Sequence, residues 1–393
     1  MRFNLWEDCN RVPLTELLSF IVDNRGKTVP TAPSGHKLIA TNCVTNNTLF
    51  PVYDKIRYLS EETYQTWFRA HPIPGDILFV NKGTPGRVCL VPDPVDFCIA
   101  QDMIALRADE SKIYPKYLFT VLRSREIQQQ IYNTNVGDVI PHFKKQFLDQ
   151  LLIPIPERSI QESIGDLYYV LSLKAERNKK INDNLQQQVA ALFANFYDRA
   201  ETEVGFTEII QILGGGTPKT GESSYWNGNV PFFTPKDVGS PYTLATEKTI
   251  TEEGLAHCNS RLYPVNTVFV TARGTVGKVG LPGIPMAMNQ SCYALVGKDT
   301  HQLLVYFYTL KAVDRLKHKA SGAVFDAITT RDFESEIIMK LSDDDEKAFL
   351  DVAQPIYQAV LSNSIENLRL AALRDSLLPK LMSGEIDVSG VQL

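Results

Sequence analysis

The sequence predicts an α+β protein: two similar mixed α/β globules, each followed by a long helix, the two helices pairing with one another. Three observations carry this prediction. The chain repeats itself, each copy runs from a β-rich part into a helical part, and both helical parts show a heptad-like apolar stripe. The repeat is clearest where Pro74-Gly75-Asp76-Ile77-Leu78-Phe79-Val80 leads into Gly83-Thr84-Pro85-Gly86, and Pro264-Val265-Asn266-Thr267-Val268-Phe269-Val270 leads into Gly274-Thr275-Val276-Gly277, a shift of 191 residues. Upstream, Leu38-Ile39-Ala40-Thr41 matches Phe232-Phe233-Thr234-Pro235 with a shift of 194. Downstream, Leu118–Leu122 matches Tyr306–Leu310 at 188, and Val136–Ile140 matches Ser321–Phe325 at 185. A slow drift of this kind is what small loop insertions leave in a duplicated gene, and the period is too long for a solenoid.

In chain order, the reading gives a first globule at 1–156, a long helix at 157–200, a second globule at 201–341, a second long helix at 342–383 and a tail at 384–393. Short β-branched and aromatic runs bounded by Gly, Pro and Asn, such as Ile77–Val80 and Val268–Thr271, read as strands. One helix closes each globule, over Lys116–Tyr132 and Gln302–Lys319. Pro154 and Pro156 halt the first globule, and residues 157–198 then contain no proline and a single glycine. The stripe along the first long helix takes in Ile164, Leu171, Asn178, Ile181, Leu185 and Leu192; along the second, Ile356, Val360, Asn363, Asn367, Leu370 and Leu377. Both turn polar mid-way, as seams that fix partner and register do. About 40 residues at 1.5 Å each make a rod of roughly 60 Å. An alternative stays open, in which each helix is an amphipathic lid over its own globule.

Length and composition narrow the functional classes. The 393 residues, 44% apolar and 22% charged, contain no run of the ~20 apolar residues needed to cross a bilayer. The start, Met1–Asp8, reaches an acid pair before any apolar stretch, so no secretory signal is read there. Six scattered cysteines without a Cys-x-x-Cys point to reduced thiols and a cytoplasmic protein. Net charge is −5, but residues 1–156 and 205–341 are each net +1 and the acidity lies in residues 157–204 and 342–393. Charge therefore leaves nucleic acid open without supporting it.

No catalytic motif survives inspection. Gly216–Ser223 has P-loop spacing, but Glu222 stands where the phosphate-binding lysine belongs. There is no Asn-Pro-Pro-Tyr-like motif and no metal spacing among the six histidines. Asp343-Asp344-Asp345-Glu346 suits the positive start of a helix better than a metal. What remains is contact surface. The segment Gly214–Gly228 mixes glycine, hydroxyls, a lysine and aromatics (Thr217, Lys219, Thr220, Ser223, Tyr225, Trp226), which fits phosphate contact or, equally, a hairpin whose aromatics cover the core. The Gly-Thr-x-Gly turns present Asn81, Lys82, Thr84 and Arg87 in one copy, and Arg273, Thr275 and Lys278 in the other. His142, Lys144 and Lys145 form a basic cluster.

The string Gly215-Gly216-Thr217-Pro218, then Tyr225-Trp226-Asn227-Gly228 and Val230–Val238, resembles the opening of a target-recognition domain in type I restriction–modification specificity subunits. Gly274–Gly277 and Leu373–Gly384 are similar to further segments of that family. In the first copy Asp23-Asn24-Arg25-Gly26-Lys27-Thr28 stands where the glycine-rich opening belongs, and the Tyr-Trp pair is absent. The resemblance implies two target-recognition domains, each reading half of an asymmetric bipartite site in double-stranded DNA, on an antiparallel coiled coil that sets their spacing. It implies a non-catalytic chain, with DNA contacts at Asn24, Arg25, Lys27 and Lys236 beside the residues above. Its partners would be two DNA methyltransferase subunits using S-adenosylmethionine and motor–nuclease subunits using ATP and Mg, with no cofactor or metal on this chain and no membrane. A free-standing methyltransferase or nuclease, a methylation-only system and a protein-binding scaffold are the alternatives.

Overall fold

A computed structural model describes residues 4–24, 26–134, 140–239, 241–319 and 327–386. The chain forms two compact units: 1–177 with 367–393, and 178–366. Each unit therefore owns one globule, half of the first long helix and half of the second. The expected matches at Val136–Val139 and Ser321–Phe325 lie outside the described residues.

In the first unit, an antiparallel four-stranded sheet runs Leu18–Val22, Met103–Ala108, Ile77–Val80, Val88–Leu90. Beside it, His36–Ile39 pairs antiparallel with Arg57–Leu59 and parallel with Phe97–Ile99. A third pairing, Asn10–Pro13 with Leu152–Ile155, ties the two ends of the globule together. The second unit repeats all three. Its main sheet runs Ile210–Gly214, Cys292–Gly297, Val268–Thr271, Val279–Pro282, with Tyr242–Thr243 added at the edge. Trp226–Phe233 lies between Lys248–Ile250 and Ala287–Met288, and Thr202–Gly205 pairs with Ile337–Lys340. Registers agree residue by residue: Phe79 opposes Val88 as Val270 opposes Val279, and Ile39 opposes Ile99 as Phe233 opposes Met288. A one-residue slip would turn every core side chain outward, so this agreement fixes the repeat physically.

The helix closing the second globule spans Gln302–Lys319. Its counterpart is not one helix but two, Pro115–Leu122 and Arg125–Thr134. The break falls at Arg123, whose buried guanidinium turns inward to bond the Val88 carbonyl at 2.8 Å.

Both long helices are 40 residues, Arg158–Tyr197 and Asp343–Met382, offset by 185. The first starts beyond Pro156, whose carbonyl accepts the Gln161 amide at 2.9 Å. The second is capped by Ser342, whose hydroxyl accepts the Asp345 N–H at 3.2 Å, with four acids in its first turn. Pro355 and Pro379 are accommodated because both sit on the exposed side, leaving the carbonyls they orphan to water. In the second unit Asn182 lies against Val360, Asn363 and Ser364, while further along Phe193 meets Phe349 at 5.4 Å; one helix ascends as the other descends. The pairing is antiparallel.

The expected seam needs correcting by one residue. Ile164, Asn178 and Val360 are buried as foreseen and Asn363 bonds across the seam to Asn182, but Ile181 is 47% exposed and Leu171, Leu185, Leu192, Ile356, Asn367, Leu370 and Leu377 are only half-buried beside it. The buried line runs through Gln161, Tyr168, Ser172, Asn182, Val189, Phe193 and Tyr197, and through Phe349, Ala353, Tyr357, Arg374, Leu378 and Leu381. The reason is that the helices pack against their globules as well as against one another, so the lid and the coiled coil coexist. In each unit the helix faces enter the main core: Ile164, Tyr168, Leu378, Leu381 and Met382 in the first, Val189, Phe193, Phe349, Tyr357 and Val360 in the second. Asn182 is the polar pin of this contact, donating to the Val360 carbonyl at 3.1 Å and accepting from Asn363 at 2.8 Å. Asn182→Ala should cost about 1–3 kcal/mol by stripping Asn363 of its acceptor, whereas Ile181→Ala should stay within about 0.5 kcal/mol. Denaturant unfolding of the two variants checks this; the reverse order would restore the original seam.

Candidate nucleic-acid interface

In each unit the turn that joins Ile77–Val80 to Val88–Leu90, or Val268–Thr271 to Val279–Pro282, is built by the same hydrogen bonds. Asn81 and Lys82 N–H groups face the Asp102 carbonyl at 2.9 and 3.4 Å, and Ala272 and Arg273 face the Ser291 carbonyl at 2.8 and 3.3 Å. Phe143 N–H returns to Asn81, and Ile328 N–H to Ala272. Gly83, Gly86, Gly274 and Gly277 all hold positive φ, between 74° and 87°, which accounts for the Gly-Thr-x-Gly spacing. The backbone thus places Lys82 where the other unit has Arg273, and Arg87 where it has Lys278. All four are exposed. Among the described residues none of them has a carboxylate within 4.0 Å.

Neighbouring segments converge on the second turn. Thr275 donates its hydroxyl to the Pro235 carbonyl at 3.1 Å, which brings Lys236 alongside. Thr217 is bonded to Gln290, next to the Ser291 that anchors the turn. The glycine-rich opening is there because backbone must approach backbone: a Cβ on Gly215 would lie 2.1 Å from the Asn289 carbonyl oxygen, and one on Gly216 2.5 Å from the Asn259 nitrogen. Lys236 is loosely held by Glu247 at 3.9 Å. Lys219, Thr220 and Ser223 are exposed further along the same loop.

Several expected contact residues turn out to be structural. Asn24 is 1% exposed and donates its amide to the Ile99 carbonyl at 3.0 Å; Asn81 is buried and donates to the Phe143 carbonyl at 3.2 Å. Neither is free to reach a base. Trp226 packs on Phe232 at 5.6 Å and gives its indole N–H to the Lys219 carbonyl at 3.2 Å, while Tyr225 stacks on His257 at 5.0 Å. These aromatics cover the small sheet, as the core reading of that segment has it. Arg25 lies outside the described residues. Lys27 and Lys144 are exposed, Thr84 half-buried, and Lys145 is paired with Asp23 at 2.9 Å.

Gln290 was not singled out from the sequence. It is exposed beside Thr217 and the second turn, and its counterpart by strand register is Gln101. The repeat itself was the available signal, since the same amide occurs twice. Lys248, 5.7 Å above the Trp226 ring, was also missed. Elsewhere, burial pushes the Cys98 and Cys292 thiols up to about 12, so neither offers a thiolate at neutral pH. Among the described residues, no group of three or more His, Cys, Asp and Glu side chains is placed to hold a metal, and no helix is long and apolar enough to cross a membrane.

Two matched α/β units with polar turns define a duplicated binding protein, and comparison with known proteins gives its family. Residues 19–187 and 202–346 match the type I restriction modification DNA specificity domain, and the chain belongs to that family. It is 23% identical to the type I restriction enzyme HindI specificity subunit of Haemophilus influenzae over 79% of this chain and 86% of that one. It is 32% identical to the EcoR124I/EcoR124II specificity subunit of Escherichia coli over 42% of this chain and 45% of that one. The fold is similar to the type I restriction–modification S subunit of M. genitalium, with a TM-score of 0.59 at 15% identity, covering 97% of this chain and 98% of that one.

Because the Asn24 amide holds a buried carbonyl, Asn24→Ala should lower stability by about 1–3 kcal/mol. Lys82→Ala, an exposed change, should stay within about 0.5 kcal/mol. Thermal melts of both variants test the assignment, and an unchanged Asn24→Ala melt would return that residue to the contact surface.

Proposed function

We propose that this chain is the DNA sequence-specificity subunit of a type I restriction–modification complex, each unit reading one half of an asymmetric bipartite site. The observation that carries the reading is the pair of turns with one backbone geometry and different side chains. Equal geometry meets the duplex in equal ways, and unequal side chains read unequal sequences. Lys82, Arg87, Arg273 and Lys278 are the phosphate clamps, with Lys27, Lys144, Lys219 and Lys236 as flanking cations and Thr217, Thr220, Ser223 and Thr275 as hydroxyl donors. Gln290 carries the amide chemistry that recognises adenine in the major groove.

Methylation and cleavage belong to partner subunits, two methyltransferases and a motor–nuclease, which supply S-adenosylmethionine, ATP and Mg. What supports this is the family together with a sequence in which no motif for those chemistries is complete. The paired helices set the unread gap and dock the methyltransferases.

Replacing Lys82 or Arg273 by alanine in the assembled complex should weaken binding to all duplexes alike and reduce the slope of log K against log salt by about one. Gln290→Ala should instead relax one base position, costing about 1–3 kcal/mol against the preferred site. Salt-titrated binding to a panel of single-base variants separates the two, and a changed base preference in Lys82→Ala would refute the clamp.

Inserting seven residues at matched places in both helices adds about 10 Å of helix. Site selection from random DNA should then return a longer gap with both half-sites unchanged. An unaltered gap would remove the ruler.

A further inference from the structure

Within the first unit, a cleft of about 280 Å³ opens where the closing helix breaks, bounded by Arg123, Ser124, Arg125, Tyr168, Arg374 and Leu378 among others. Two of its guanidiniums are buried. Among the described residues, Arg123, 8% exposed, gives its hydrogen bonds to neutral oxygens: the carbonyls of Thr45, Thr48 and Val88, and the Tyr168 hydroxyl at 3.4 Å. The Arg374 side chain is 7% exposed, and its carboxylate partner is Asp375, 64% exposed and next to it on the same helix. Both Nε and Nη2 of Arg374 fall on one Asp375 oxygen at 2.8 Å. The two cations flank a single ring, lying 5.9 and 5.6 Å from the centroid of Tyr168.

A buried cation is stable when an anion or several dipoles compensate it. Here two buried guanidiniums and the exposed Arg125 share two acids on the cleft wall, Glu126 and the solvated Asp375. The ten-residue helix Arg125–Thr134 begins at the same place, adding the positive end of its dipole. One and two turns further along the helix that carries Arg374, the lining is apolar, with Leu378, Pro379 and Met382.

The fold does not require this arrangement. By the 185-residue helix offset, Val189 holds the place of Arg374 in the second unit, and Ala353 that of Tyr168; both are buried. There the junction is filled by Phe193 against Phe307 at 4.9 Å and Phe349 at 5.4 Å. One copy of the repeat packs aromatic rings there, with Lys311 over the Tyr197 ring at 5.0 Å, and the other has a cleft with two buried guanidiniums in it.

We infer that this cleft binds one carboxylate on an apolar stem, the acidic side chain or chain end of a partner polypeptide. The remaining guanidinium donors of Arg374 and the helix start take the carboxylate, and the Leu378–Met382 wall takes the stem. Charge-assisted bonds in a recessed site discriminate strongly for the anion, and the apolar wall discriminates against inorganic phosphate. The inference rests on this cleft alone and not on how either unit meets DNA.

The test uses the full chain and 4-methylpentanoate as probe, with 4-methylpentanamide and inorganic phosphate as controls, ionic strength being held constant with chloride. Calorimetric titration should show saturable millimolar binding of the carboxylate to one site per chain, with neither control binding. Arg374→Met should weaken the probe by about tenfold or more, and Arg374→Lys should restore part of the loss. Asp375→Asn, an exposed change that removes the competing carboxylate, should tighten the probe several-fold even if Arg374→Met fails to fold. Equal binding of the amide, phosphate binding as tight as the carboxylate (the behaviour of a site for DNA phosphate), or an unaltered affinity in Asp375→Asn would each overturn the assignment.

Discussion

Neither globule closes its core alone. In the first unit, Ile77, Phe79, Leu106 and Tyr117 are sealed from water by Ile164 and Tyr168 from one long helix and by Leu378, Leu381 and Met382 from the other. In the second, Val268, Leu304 and Phe307 are sealed by Val189 and Phe193, and by Phe349, Ala353 and Tyr357. Each such side chain contributes about 1.5–3 kcal/mol when fully buried, so the helix segments are part of the folding unit and not an appendage. The consequence is mechanical. Within a unit, the Gly-Thr-x-Gly turn cannot change its angle to the helices without opening a packed core, and cores resist this because they are close-packed. Asn182 and Asn363 then act on register, since a slid helix would leave their amides unpaired in the seam.

The duplication preserves backbone relationships while exchanging the groups that fulfil them. The Met288 carbonyl accepts from the Gly216 N–H at 3.1 Å. The Ile99 carbonyl, at the matching place, accepts from the Asn24 side chain instead. Both units share one backbone bond, Val80 N–H to the Arg87 carbonyl at 2.9 Å and Thr271 N–H to the Lys278 carbonyl at 3.0 Å, and the second adds a Thr271 hydroxyl that accepts the Lys278 N–H at 2.9 Å where the first has the side chain of Val80. Two evolutionary copies have therefore held one scaffold constant and altered the surface it presents. That is the property a protein needs if it is to read two different short sequences with one mode of approach.

The same exchange explains what the sequence disclosed. Strands, turns and helices were legible because periodicity and glycine placement report backbone conformation directly. The second closing helix, Gln302–Lys319, has the predicted bounds, whereas its counterpart breaks because Arg123 folds inward to three carbonyls, a long-range contact that spacing does not encode. The seam was displaced for a related reason. Its buried line holds Gln161, Ser172 and Asn182, polar groups that a search for apolar stripes passes over in favour of the adjacent, exposed Ile181. Asn24 and Asn81 misled in the opposite direction, since a buried amide bonded to backbone looks in one dimension like an exposed amide ready for a base. Cations at the turns were legible because charge is seldom buried without a partner.

The distribution of charge completes the division of labour. Under the proposed reading each turn offers two clamp cations, and four phosphate contacts from these alone would give a salt slope of about −3.6. A protein making six to ten such contacts has a steeper slope, about −5 to −9. Most of this chain's excess acid lies in the helical segments, which carry net −2 over residues 157–204 and −5 over 342–393. A helix pair of that sign repels a polyanion and attracts basic protein surface. On the proposed reading, discrimination rests on a few directional groups at the turns, and basic partner surface on the helices would supply non-specific attraction. A reader built in that way would gain selectivity from weakness: the less phosphate binding it has of its own, the less it is held on the excess of wrong sequence.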